Sequence, residues 1–225
     1  MNIAQAFRSI FQRPGWVQKT ISAALLLLIP VAGPLVLMGW TLEISRRVIA
    51  GEDDRLPVVN IRRDFNTGFQ AFLLGLIYTI PVFILVAPVW LAPFFGDFFS
   101  LETADILNSV INFSSAASVA LYGCLLTFLL PAVYANFLVK QDINAGLHLG
   151  EILAILKASP AGYLYMVPVT IAGSFGAVLG IFICLVGVMI TQVLFAALLG
   201  SLWGQAFLQS ENRKDTKVKT ISVPA

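Results

Sequence analysis

The residues able to do acid–base or ionic work are few, and most lie outside the apolar stretches. Glu43 directly follows the first of them, with Arg46 and Arg47 just beyond. The Glu43–Arg47 spacing is i,i+4, so an ion pair along one helix face is available. Such a pair at a membrane boundary fixes the depth of a helix. A proton relay would need a second buried acid or base, and none is in view. Asp53 and Asp54 stand among arginines and read as a solvated loop. His148 is the sole histidine, and Cys124 and Cys184 are far apart, which makes a poor metal site. No nucleophile stands beside a base, no carboxylates are paired for catalysis, and no glycine loop suits a phosphate. No catalytic, cofactor or metal residue is therefore assigned, and no enzyme activity is expected.

Uncharged polar residues do cluster. Asn112, Ser114, Ser118 and Tyr122 lie in one apolar run, together with Asn108, Ser115 and Thr127. Ser114, Ser118 and Tyr122 fall at i,i+4 steps. Hydroxyls and amides hydrogen-bond between helices in lipid, at roughly 0.6–2 kcal/mol each. Helix packing is the first reading, and a polar pathway lined by these four residues is the sharper alternative. Small residues make a second pattern. Gly176 and Gly180 form one small-xxx-small pair; Ala196, Gly200 and Gly204 form a longer stripe. Small residues let helices approach closely. The two patterns fall on the arms of the last hydrophobic segment, and the reading is that these arms pack together.

The elements that must position these residues follow from the apolar pattern. Apolar residues make up 58% of the 225 and charged residues 12%, about half the share of a soluble domain. Net charge is +2 and no basic run interleaves with aromatics, so nucleic acid is not an expected partner. Two cysteines cannot build a disulfide framework. Four uncharged runs occur, at residues 20–42, 65–96, 106–139 and 158–210. A helix needs about 20 apolar residues to cross a bilayer core. The last run is long enough for a hairpin of two spans, with its turn near Cys184, Leu185, Val186 and Gly187. Continuous apolar runs do not alternate as barrel strands do. The expected fold is all-α, a polytopic transmembrane helical bundle in a single domain. Its spans are 66–95, 106–139, 161–182 and 187–209, and residues 210–225 form a cytoplasmic tail.

Residues 20–45 admit two readings. Pro30 and Pro34 bracket a helix interruption inside the first run. One reading is a re-entrant hairpin, the other a kinked fifth span. Arg8, Arg13 and Lys19 favour the hairpin, because a single crossing would put that basic segment outside. Residues 2–13 pattern as an interfacial amphipathic helix, with Ile3, Phe7, Ile10 and Phe11 on one face. Residues 150–157 pattern as a second. A cleaved signal peptide is not favoured, since no small-x-small cleavage site follows the first run. Lys and Arg concentrate in 46–64, 140–157 and the C-terminus, which are expected on the cytoplasmic side of the cell membrane.

The order of short segments carries a family resemblance. These are Phe11 with Pro14-Gly15-Trp16, Leu28 through Pro34, Gly39-Trp40, Arg46 through Glu52, Leu56-Pro57, Cys184 through Gly187, and Gly204-Gln205. In this the chain resembles the prokaryotic membrane proteins grouped as domain of unknown function 4013. The resemblance implies a multi-pass cell-membrane protein and implies no activity. Two functions remain in play. One is a structural, scaffolding or assembly subunit working through lipid and other membrane subunits. The other is a transporter or channel component for a small or apolar solute. The absence of an apparent internal repeat tilts the reading toward the first.

Overall fold

Helices satisfy their own backbone groups, which is what an apolar environment demands. The computed structural model describes residues 15–52, 56–95, 101–179 and 185–221, and no strand occurs among them. Eight α-helices follow in chain order. They are α1 (Trp16–Leu26), α2 (Ala32–Ile49), α3 (Ile61–Phe95), α4 (Leu101–Lys140), α5 (Leu149–Ala158), α6 (Pro160–Leu164), α7 (Met166–Leu179) and α8 (Leu185–Ile221). A 3₁₀ turn, Ile143–Leu147, precedes α5. Three stretches are long and apolar enough to cross a membrane: Ile61–Ala92, Asp105–Lys140 and Gly187–Arg213. The segments Leu149–Ala158 and Pro160–Gly173 would add a fourth only as one broken span, and they bend by 94°. Ile152, Ile155 and Leu156 give α5 a buried face, while Leu149 and Leu153 are exposed.

The helices outrun the apolar windows at some ends. α3 begins at Ile61, ahead of its uncharged run, because Asn60 caps it. The Asn60 Oδ1 accepts from the Arg63 N–H at 3.1 Å, and the Asn60 N–H donates to Asp64 Oδ2 at 2.8 Å. α8 does not stop at 209 but continues to Ile221. Loss of apolarity marks where a helix leaves a membrane, not where its backbone hydrogen bonds end. Of the turn expected at 184–187, Leu185 through Gly187 are helical and Cys184 lies outside the described residues. The expected interfacial helix at 2–13 lies outside the described residues.

The chain divides into two compact units, Met1–Leu74 with Phe128–Ala225, and Gly75–Thr127. In the first, α8 is the axis, packing against α1, α2, α5, α6 and α7. Its core joins Ala23 and Ala24 of α1, Trp40 and Ile44 of α2, Leu56, and Val193 and Ala197 of α8. In the second, the Tyr122 hydroxyl donates to the Tyr78 carbonyl at 2.8 Å and ties α4 to α3.

α1 and α2 fold back on each other. Lys19 Nζ donates to the Leu56 carbonyl at 2.6 Å, and Trp40 Nε1 donates to the neighbouring Pro57 carbonyl at 3.0 Å. A straight helix would hold positions 19 and 40 about 31 Å apart. The segment is therefore a hairpin in shape, with its tip at residues 27–31. The tip is a γ-turn of the strained hand. Val31 has φ 68° and ψ −55°, and the Ala32 N–H reaches the Pro30 carbonyl at 2.8 Å.

Glycines set the closest contacts. A Cβ on Gly39 would run into the Asp64 backbone, and one on Gly68 into the Leu35 carbonyl, so α2 and α3 cross nearly backbone to backbone. A Cβ on Gly123 would meet nothing within 4 Å. Gly39→Ala should lower stability by about 2 kcal/mol, as overpacking does. Gly123→Ala should leave it unchanged or slightly raised, since helix propensity improves. Thermal melting of both variants in detergent checks this; equal melting would refute the crossing.

Candidate functional site

The foot of the hairpin gathers the charges. Glu43, on the penultimate turn of α2, has a side chain only 8% exposed. Arg46 grips it with two bonds, Nε to Oε2 and Nη2 to Oε1, both 2.8 Å. Arg47 Nε donates to Oε1 at 3.1 Å, and Arg63 Nη1 from α3 lies 3.3 Å from the same oxygen. Glu52 closes the far side, 3.4 Å from Arg46 and 3.6 Å from Arg47. Asp64, with its side chain 1% exposed, accepts from Arg63 Nε at 2.8 Å. Three guanidiniums thus meet three carboxylates.

Local geometry explains the convergence. The i,i+3 and i,i+4 spacings put Arg46 and Arg47 on the Glu43 face. The Gly39–Asp64 crossing then brings the start of α3, and with it Arg63, onto that face. A buried charge is tolerable only when paired and hydrogen-bonded, and the fork shape of Arg suits that task. Both Glu43 oxygens are engaged, so the group serves as an anchor for α2, α3 and the loop between them. Arg63 Nη2 is shut from solvent without a partner among the described residues. The sequence reading placed Glu43 with Arg47 but left Asp64 and Arg63 among the loop charges. The signal for them was the Asn60-to-Asp64 cap spacing. Asp53, Asp54 and Arg55 lie outside the described residues.

A second ionic site joins α4 to α5. Lys140 Nζ donates to Glu151 Oε1 and Oε2, each at 2.6 Å, and Asn136 Nδ2 adds a bond to Oε2 at 2.9 Å. The Lys140 ammonium, then the Asn136 amide, hold the Glu151 carboxyl below its ordinary value of 4.5. His148 precedes α5, and among the described residues no group of three or more His, Cys, Asp or Glu comes together.

The polar residues of α4 bond mostly within their own helix. Asn112 Nδ2 donates to the Asn108 carbonyl at 2.8 Å and Ser114 Oγ to the Ile111 carbonyl at 3.1 Å. Tyr122 reaches across to Tyr78, and Ser118 is half-buried. The small-residue stripe of α8 faces α2. A Cβ on Gly200 would strike the Thr41 carbonyl and crowd Ile44, and one on Gly204 would strike Val48 and crowd the Ser45 carbonyl. Ala196 lines a groove between the same two helices. α7 also packs on α8, with Gly173 under the Phe195 ring. Gly176 lies in α7 and Gly180 lies outside the described residues.

The fold and this site define an all-helical protein with three candidate membrane-spanning helices, anchored by a neutral Arg–carboxylate cluster. The family described as Protein of unknown function (DUF4013) matches residues 22–190, most of the chain, and the protein belongs to it. The match takes in the hairpin tip, the cluster, α3 and α4; Phe11–Trp16 and Gly204-Gln205 fall beyond it. No curated protein and no solved structure matches the chain.

Glu43→Ala should cost about 2 kcal/mol or more, because it strips a hydrogen-bonded charge from three guanidiniums. Replacing both Glu43 and Arg46 by Met should recover part of that loss. Arg62, which is exposed, serves as the comparison. Melting curves for Glu43→Ala and Arg62→Met that coincide would remove the anchor role.

Proposed function

We propose that this protein is a structural or assembly subunit of the prokaryotic cell membrane, acting through helix and lipid contacts. One observation carries the reading. Only 6% of the apolar window of Ile61–Ala92 is buried within the chain, and 17% of that of Asp105–Lys140. Trp90, Phe94, Phe113 and Leu121 are each more than 70% exposed. Such surfaces are covered by lipid or by partner helices, and a scaffold offers both. Asn112 and Ser114 bond to carbonyls of their own helix, so they lend no support to a solute pathway.

In this reading the hairpin enters and leaves from the cytoplasmic side. The same side holds 46–64, 140–157 and the C-terminus, in accord with their Lys and Arg. α5 lies along that surface ahead of a span that begins with α6, which suits the right-angle bend. The α1 helix is about 16 Å long, half of a ~30 Å core.

Purification from native membranes in mild detergent, with mass spectrometry, should recover another membrane protein in stoichiometric amount. Phe113→Gln with Leu121→Gln should reduce that recovery without altering the melt. Recovery of the chain alone would refute the assembly role. The pair Asn112→Leu and Ser118→Leu should leave solute flux across proteoliposomes at background; a flux that the pair abolishes would establish transport instead. A cysteine at Gln18, with Cys124 and Cys184 replaced by Ser, should stay protected from an impermeant reagent added outside. Labelling there would turn the hairpin's foot outward.

A further inference from the structure

We draw no further inference here: the strongest candidate, the exposed surface patch on α4 formed by Asn112, Ala116, Ala120 and Cys124, is a stripe of small and polar residues on an unpartnered helix face, and nothing in the structure shows what covers it.

Discussion

A carboxylate shut away at the foot of an apolar hairpin must be answered by cations, and at Glu43 three guanidiniums converge. Two come from its own helix by spacing alone, and the third arrives from α3. The third makes the cluster tertiary. Arg63 can reach Glu43 only if α3 starts against Gly39, and Asp64 must then be buried beneath Arg63. Each partner fixes the next. The loop is pinned as well, since adjacent carbonyls at Leu56 and Pro57 are held by Lys19 and Trp40. One neutral cluster thus sets where α2 ends and where α3 starts, and Lys19 ties α1 to the loop between them.

Around this foot the packing is made by small residues rather than by apolar area. In lipid, burial of one Leu against another gains little over Leu against an acyl chain. Close approach supplies the contacts instead, at Gly39 with Gly68 and at Gly200 with Gly204. The long α8 helix carries five neighbours for this reason. Its inward stripe is small, and its remaining apolar residues fill the spaces beside that stripe. The Gly75–Thr127 unit follows a different economy. Its two helices share the Tyr122–Tyr78 bond and leave most of their apolar side chains outward.

Much of this was legible in the sequence. Pro30 and Pro34 located the break, and the Glu43–Arg47 spacing located the ionic foot. The helical class followed from continuous apolar runs. The unread parts share one cause, which is that a pattern on one helix does not name its neighbour. The Gly200–Gly204 stripe announced a close helix contact, yet its partner is α2, far away in the chain. Arg63 and Asp64 looked like loop charges because their burial depends on the α2–α3 crossing. Asn112 and Ser114 looked like cross-helix donors. A free carbonyl one turn back is always within their reach, and it wins when no partner is nearer.

The hairpin tip shows why half-depth placement is physically coherent. A chain reversal in hydrocarbon must leave almost no bare N–H. Of residues 27–34, five N–H groups are bonded, at 27, 28, 29, 32 and 33, and the two prolines carry none. That leaves Val31, the centre of the γ-turn. A β-branched residue at positive φ holds strain of order 1–3 kcal/mol. A glycine would relieve it but would remove an apolar side chain that is 77% exposed at the tip. Leu28 and Ile29 beside it are also at least half exposed. In water this tip would be an apolar knob at the end of a charged stem; in lipid each end meets its preferred surroundings. The polarity changes from paired ions to bare hydrocarbon over about 16 Å, the length of α1 and the depth of one leaflet. The strain at Val31 is then the counterpart of the Glu43 cluster. The foot fixes both ends of the hairpin, and the reversal between them must close in five residues whatever their backbone preference.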